Sequence, residues 1–227
     1  MKRIYITESQ KNLLIKEAQS DTFSYETLAS LKSFNARIKY CKQELGFPIG
    51  KGTSRMCFQL SDEWILKLAI NPKGIVQNEH EATRDYYKDQ MGIFAKVDYD
   101  LSDEENHLWV VSEYVLPAKE RDFKECYGLS FGTFVAFVGK CIDNFSYRRR
   151  QFFARMSDEE FERILEEHQD DLFGQIYDYI GNYGIHHGDF MVLRNLGLVM
   201  RDGEPQIVIL DDGVDDDILK QYYNRRL

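Results

Sequence analysis

A carboxylate and an amide lie close together in the segment 183–195, which reads YGIHHGDFMVLRN. Asp189 could accept a proton from a hydroxyl group, whereas Asn195 could bind a metal ion through its amide oxygen. His186 and His187 raise the alternative of a zinc site. Zinc is disfavoured because no nearby cysteine or suitably spaced histidine completes a set of four ligands. The segment therefore predicts a loop with acid–base or metal-binding chemistry.

A second pair of carboxylates, Asp211 and Asp212, directly follows the apolar run 207–210. Hard oxygen ligands at the end of a strand suit Mg²⁺. A calcium loop is a poor match because the spacing of an EF-hand is absent. The alternative of a plain acidic turn stays open, since the run 215–217 is also acidic.

Lys67 interrupts the apolar run 64–69, which reads WILKLA. An ammonium group buried in such a strand needs a partner, because an unpaired buried charge is costly. The candidates are Glu81 and Glu79, which fall on the helix predicted to follow. The alternative, in which Lys67 points to solvent, stays open at this stage.

Two glycines lie in the segment 50–54, which reads GKGTS and connects two predicted strands. Glycines allow backbone amides to approach phosphate oxygens closely. An ordinary hairpin turn explains them equally well. The full GxGxxG pattern is missing because residue 55 is arginine, and no GK[ST] precedes a helix as in a P-loop.

Periodicity and turn signals indicate which elements must position these residues. A capping box at 7–10 predicts a first helix, and the spacing of apolar residues predicts a second helix over 24–45. Five strands with one inserted helix then indicate a sheet-plus-helix layer, followed by a helical half and a hairpin at Asp202 and Gly203. The predicted strands are 47–49, 56–60, 64–69, 93–100, 108–115, 196–200 and 207–210, and the later helices cover 75–87, 131–145, a segment from 157 and 171–183.

Composition restricts the class of protein. The 227 residues are 43% hydrophobic, enough for a core, and the net charge of -9 disfavours nucleic acid or an anionic membrane as a partner. Four scattered cysteines without a CxxC pair indicate reduced thiols. We find no signal peptide pattern and no apolar run long enough to span a bilayer, so the expected location is the cytoplasm.

Taken in chain order, these segments resemble the protein kinase-like superfamily, and most of all the aminoglycoside and related small-molecule phosphotransferases. A glycine turn, a strand lysine, a helix glutamate, a strand entering a linker, an HGD loop and a strand ending in aspartate follow one another. The resemblance implies an α+β, two-lobed kinase-like fold. Its antiparallel five-stranded N-lobe covers 46–115, its reduced, mainly helical C-lobe covers 116–227, and a helical extension covers 1–45.

The resemblance also implies roles for the polar residues. Lys67 would hold the α and β phosphates of ATP and pair with Glu81, and Asp189 would be the catalytic base. Asn195 and Asp211 would bind Mg²⁺.

The nucleotide itself would contact the turn and the linker between the lobes. Ser112 would occupy the gatekeeper position. The backbone of Glu113 and Val115 would bind adenine, and the phosphates would meet Gly50, Gly52, Thr53 and Ser54.

The chain departs from the family pattern in several places. Asn195 follows Asp189 by six residues where the family has five, the glycine turn is short, and only fourteen residues follow Gly213. No activation segment or substrate platform is therefore expected after Gly213. The motif around Glu81 favours it as the partner of Lys67, whereas helical phase favours Glu79.

We expect ATP- and Mg²⁺-dependent transfer of a phosphoryl group to a hydroxyl of a protein or small molecule. The alternative from another class is a pseudokinase, a nucleotide-responsive module that acts through a protein partner. Nucleotidyl transfer is a weaker third possibility. The opening residues 2–10 resemble the starts of some phage proteins, which would place the chain in a host cytoplasm.

Overall fold

The computed structural model of the chain describes residues 23–82, 92–145, 156–183 and 190–210. These residues form an α+β protein, as the sequence predicts. They divide into two compact units. The first unit contains residues 23–82 and 97–114, and the second contains 92–96, 115–145, 156–183 and 190–210.

The first unit is built on the predicted five-stranded antiparallel sheet, which the structure confirms with the strand order β1-β2-β3-β5-β4. Three helices accompany this sheet among the described residues of the unit. In chain order the elements are α1 Tyr25–Ser30, α2 Phe34–Glu44, β1 Gly50–Lys51, β2 Arg55–Gln59, β3 Trp64–Ala69, α3 Pro72–Ala82, β4 Val97–Asp98 and β5 Trp109–Glu113.

Several predicted boundaries in this unit are wrong. The helix predicted over 24–45 is two helices, because the Ser33 side chain accepts a hydrogen bond from the backbone N–H of Ala36 and begins a new helix. The first strand is β1, not 47–49, and only β4 forms a strand within 93–100. The helix predicted after the capping box at 7–10 lies outside the described residues.

The two faces of the sheet differ in character. Directly opposed residues of antiparallel strands share a face, so the register assigns each side chain to one side. One face packs against Leu28 of α1 and Cys41 of α2 and is apolar, with Met56, Phe58, Leu66, Leu68, Trp109 and Val111. The opposite face carries Arg55, Cys57, Lys67, Val110 and Ser112.

The second unit combines a small antiparallel sheet of order β6-β7-β8 with four helices in its described part. Asp202 and Gly203 connect β7 to β8 with φ angles of 52° and 88°, so the predicted two-residue hairpin is confirmed. The elements are β6 Leu116–Pro117, α4 Glu120–Tyr127, α5 Phe131–Phe145, α6 Asp158–Glu167, α7 Leu172–Tyr183, β7 Leu196–Arg201 and β8 Glu204–Ile209.

Aromatic side chains dominate the core of the second unit. Phe134, Phe137 and Phe173 are completely buried. The ring centroids of Phe134 and Phe137 lie 5.5 and 5.3 Å from that of Phe173. Ser157 caps α6 by accepting a hydrogen bond from the backbone N–H of Glu160, as predicted. Among the described residues, none of the helices has both the length and the apolar character that crossing a bilayer requires.

Candidate functional site

Lys67 and Glu81 form a buried ion pair in the first unit. The side chain of Lys67 projects from β3, and that of Glu81 from the last turn of α3. Nζ of Lys67 lies 2.5 Å from Oε1 of Glu81. The two residues are only 5% and 1% exposed, so the strand lysine does not point to solvent.

Arg55 is the residue that our sequence reasoning missed. Its Nη1 lies 2.6 Å from Oε2 of Glu81, so one carboxylate joins two cations from neighbouring strands. Nη1 also approaches Oδ1 of Asn78 at 3.5 Å. Asn78 is fully buried, and its Nδ2 donates to the backbone carbonyl of His107 at 2.9 Å. The site therefore contains three charged side chains and one amide.

The register of the hairpin β2–β3 explains why both cations reach Glu81. Cys57 lies opposite Lys67 and Arg55 lies opposite Ala69. Side chains two residues apart on a strand share a face, so Arg55 and Lys67 project from the same side of the sheet. Aligning the two strands by their apolar positions could have revealed this neighbour in the sequence.

Asn71 begins α3 and ties it to the glycine turn. Its Oδ1 accepts a hydrogen bond from the backbone N–H of Lys73 at 3.0 Å, and its Nδ2 donates to the carbonyl of Thr53 at 2.9 Å. Pro72 then takes the first helical position, where its missing N–H costs nothing. The predicted start at 75 was therefore wrong by three residues.

Gly74 brings α3 into direct contact with the backbone of the sheet. A Cβ at this position would lie 2.2 Å from the carbonyl oxygen of Ser54 and 2.9 Å from Cα of Ala69. One turn later, the Ser54 hydroxyl donates to Oε1 of Gln77. The helix is thus held against the turn and β3 along its length.

The buried face of α3 explains which glutamate pairs with Lys67. Gly74, Asn78 and Glu81 are the buried positions, at helical spacing, whereas Glu79 is exposed. This face is small or polar, so the apolar periodicity that favoured Glu79 followed a different stripe. Lys67 pairs with Glu81, the glutamate that the family motif around it favoured in the sequence.

The glycines of the turn have no conformational explanation within the protein. Neither Gly50 nor Gly52 has a φ angle in the left-handed region. A Cβ would meet Cys57 at 3.8 Å in the first case and the carbonyl of Arg55 at 3.7 Å in the second, both ordinary contacts. Gly52, Thr53 and Lys51 are exposed, and Ser54 is buried. The backbone N–H of Gly52 donates to the carbonyl of Arg55 at 2.9 Å, so the turn is closed by its own hydrogen bond while residues 51–53 remain exposed.

Ser112 and Glu113 lie at the end of β5. Ser112 is completely buried, shares a face with Lys67 and has no hydrogen-bond partner for its hydroxyl. Glu113 pairs with Trp64, and the backbone N–H of Tyr114 donates to the carbonyl of Glu63 at 2.6 Å. Val115, predicted to share adenine binding with Glu113, belongs to the second unit.

The metal-ligand candidate Asn195 lies in the second unit, at the end of a single 3₁₀ turn, Leu193–Asn195. Its carbonyl accepts a hydrogen bond from the backbone N–H of Leu210 at 2.8 Å. Asn195 therefore lies beside the residue that precedes Asp211 in the chain. Asp211 and Asp212 themselves lie outside the described residues, as do Asp189, His186 and His187.

This site places cationic side chains in the same unit as an exposed glycine turn, and cationic donors suit phosphate oxygens. Comparison of the chain with family models, with curated proteins and with solved structures finds no match.

Proposed function

We propose that the chain binds MgATP and transfers its γ-phosphoryl group to a hydroxyl acceptor, within a two-lobed kinase-like fold whose C-lobe is reduced. The observation that carries the proposal is the buried pair of Lys67 and Glu81. Burying two charges is expensive, and the mutual attraction of the pair offsets that cost only with good geometry. A protein that needs only stability gains as much from apolar residues at these positions, so the pair favours a functional role.

The position of the pair supports a phosphate ligand. An ammonium has three N–H donors, and one contact of Lys67 is with Oε1 of Glu81 at 2.5 Å. The carboxylate orients Lys67, and in the proposal the α and β phosphates accept from the same Nζ. Hydrogen bonds between an ammonium and a phosphate are strong because both partners are charged.

The glycine turn gives independent support. Gly50 and Gly52 are not explained by backbone conformation or by packing. A ligand that approaches the backbone of the turn closely would explain both, because a Cβ would then stand in the way. In the proposal the phosphates meet Gly50, Gly52, Thr53 and Ser54.

The second unit would supply the remaining groups. Asn195 offers an amide oxygen and Asp211 a carboxylate, and Mg²⁺ prefers such hard ligands. The hydrogen bond from the backbone N–H of Leu210 to the carbonyl of Asn195 supports a shared metal site, because Leu210 directly precedes Asp211 in the chain. Bound Mg²⁺ would neutralise charge on the phosphates, while Asp189 accepts the proton of the acceptor hydroxyl.

The cysteines bear on where the protein acts. Cys41, Cys57, Cys126 and Cys141 all carry free thiols, which supports a reducing compartment such as the cytoplasm. Adenine would lie against the backbone of Glu113 and Val115, next to Ser112. The acceptor is a hydroxyl on a protein or a small molecule.

A thermal-shift titration with MgATP tests the binding step. At a concentration about 100-fold above Kd, a ligand stabilises the folded state by about 2.7 kcal/mol, which raises the melting temperature by several degrees. We expect this shift for the wild type and for Lys42→Ala, an exposed lysine of α2 that serves as the matched control. Lys67→Met should lose most of it. An equal shift in Lys67→Met would contradict the role of Lys67.

Turnover separates a transferase from a nucleotide-responsive module. We expect slow release of ADP by the wild type even without an acceptor, because water can replace the hydroxyl, and loss of this activity in Asp189→Ala with unchanged MgATP affinity. Binding without turnover in the wild type would favour the pseudokinase instead. No binding at all would refute both functions.

A further inference from the structure

We propose that Arg55 is a positioning residue that holds Glu81 in place for Lys67, so that the ion pair is assembled before any ligand arrives. The part of this inference that concerns MgATP rests on the proposed function. The part that concerns α3 does not, because it follows from contacts within the protein.

Arg55 is placed to restrain Glu81 and not to reach solvent. It is 8% exposed, and its Nη1 lies 2.6 Å from Oε2 of Glu81, whereas Nζ of Lys67 lies 2.5 Å from Oε1. A carboxylate held at one oxygen can rotate about its side-chain torsions, whereas one held at both oxygens has a fixed plane. Arg55 therefore fixes the orientation of Oε1 toward Lys67.

A second contact anchors Arg55 on the same helix. Asn78 precedes Glu81 by three residues, so both side chains project from one face of α3. Oδ1 of Asn78 lies 3.5 Å from Nη1 of Arg55, while its Nδ2 donates to the carbonyl of His107 at 2.9 Å. A single guanidinium thus contacts α3 on two successive turns, and the hydrogen bond from Asn78 to His107 links the helix to the loop before β5.

The other contacts of α3 extend the same restraint to its first turn. Asn71 binds the carbonyl of Thr53, Gly74 lies against Ser54, and Gln77 accepts from the Ser54 hydroxyl. Together with Asn78 and Glu81, these contacts recur at every turn of the helix. The end that carries Glu81 is held by β2 and β3 through Arg55 and Lys67, so loss of Arg55 would release this end first.

Charge neutralisation alone does not require an arginine at this position. The contact of Arg55 with Oε2 of Glu81 is made through Nη1, and a lysine of sufficient reach can bring its ammonium to the same oxygen. Arg55→Lys should therefore keep the restraint, and Arg55→Gln should lose it. This difference separates positioning by charge from a purely spatial role, which glutamine would preserve about as well.

Hydrogen exchange tests the restraint without any nucleotide. We expect the backbone amides of residues 78–82 in Arg55→Gln to exchange about tenfold faster than in the wild type, and those in Arg55→Lys to exchange at close to the wild-type rate. Amides of β7 in the second unit serve as the internal reference. Unchanged exchange in Arg55→Gln, or equal acceleration in both variants, would overturn the proposal whether or not the protein binds MgATP.

MgATP affinity tests whether Arg55 acts through Glu81. By titration calorimetry we expect Arg55→Gln to weaken MgATP binding about tenfold and Arg55→Lys to restore it to within about twofold of the wild type. In a Glu81→Gln background the effect of Arg55→Gln should fall below about twofold, because the residue it positions is already altered. A full tenfold effect in that background would overturn the proposal by showing that Arg55 contacts the ligand itself.

Hydrogen exchange and MgATP titration test the role of Arg55 and the proposed function independently. A wild type that does not bind MgATP refutes the proposed function and leaves hydrogen exchange to decide the role of Arg55. A wild type that binds MgATP while exchange in Arg55→Gln is unchanged refutes the role of Arg55 alone. If Arg55→Gln does not fold, Arg55→Lys decides, since affinity and exchange far from wild-type values would contradict positioning by charge.

Discussion

Lys67 contacts Glu81 through one carboxylate oxygen, Oε1, at 2.5 Å, while Oε2 of the same group accepts from Arg55. The pair links the central strand of the sheet to the last turn of α3. All three residues are at least nine-tenths buried, so the interaction is only weakly screened by solvent. The stability of the first unit and its proposed ligand chemistry both depend on this contact.

Removing the charge of Glu81 should destabilise the protein strongly. Glu81→Gln leaves the buried Lys67 and Arg55 close together without the carboxylate that joins them, and breaking a buried ion pair costs about 3 kcal/mol or more. Glu79→Gln is the matched control, because Glu79 is exposed on the same helix, where the interactions of a carboxylate are worth at most about 1 kcal/mol. Urea denaturation measures both. Equal stability of the two variants would contradict the importance of the buried pair.

Gly74→Ala should destabilise the protein although alanine is the better helix former. The new Cβ would lie 2.2 Å from the carbonyl of Ser54, so α3 must move away from the turn. We expect a loss of about 2 kcal/mol in the free energy of unfolding, in the range of overpacking.

Gly139→Ala in α5 is the control for Gly74→Ala, because apart from its chain neighbours and the nearby backbone of α5 no described atom lies within 4 Å of the added Cβ. It should stabilise the protein by up to about 1 kcal/mol. Thermal denaturation compares the two variants. A stabilising Gly74→Ala would be incompatible with the close approach of α3 to the turn.

Alkaline pH should weaken the apolar face of the sheet. Burial raises the pKa of Cys41 to about 12, and burial followed by the charge of Asp98 raises the pKa of Tyr25 to about 12. Between about pH 9 and 12 the unfolded chain releases these protons while the folded chain retains them. The free energy of unfolding must therefore fall as the pH rises through this window.

The Cys41 contribution to this fall is at most about 1.4 kcal/mol per pH unit. Urea denaturation at a series of pH values between 8 and 11 measures it, and Cys41→Ala should show a shallower decline than the wild type. Identical slopes for the two proteins would show that the Cys41 thiol does not contribute. Below about pH 7.5 both groups are protonated in the folded and in the unfolded chain, so the stability should not depend on either group.

Local sequence signals predicted the parts of the fold that rest on local chemistry. The run 64–69 forms β3 with the predicted bounds, Ser157 caps a helix, and Asp202 with Gly203 forms a two-residue hairpin. Each depends on residues adjacent in the chain. The break between α1 and α2 was missed because both helices share one apolar periodicity, while Ser33 as a cap was not recognised.

The candidate site was harder to predict because its helix face is polar. Hydrophobic periodicity finds faces that pack on apolar cores, but α3 meets the sheet through Gly74, Asn78 and Glu81. Arg55 was interpreted only as the residue that breaks a glycine pattern. Its role becomes visible when β2 is aligned with β3, because pairing across strands, and not spacing along the chain, brings Arg55 to the same carboxylate as Lys67.

Labelling with an acyl phosphate of ATP tests the central claim most directly. If the phosphates of bound ATP lie beside Lys67, Nζ attacks the acyl carbon, the acyl group is transferred to Lys67 and ATP leaves. Peptide mapping should then find Lys67 modified faster than the exposed Lys42, with modification blocked by excess MgATP. Modification of Lys42 but not Lys67, or labelling of Lys67 that excess MgATP does not reduce, would contradict a nucleotide site at the Lys67–Glu81 pair.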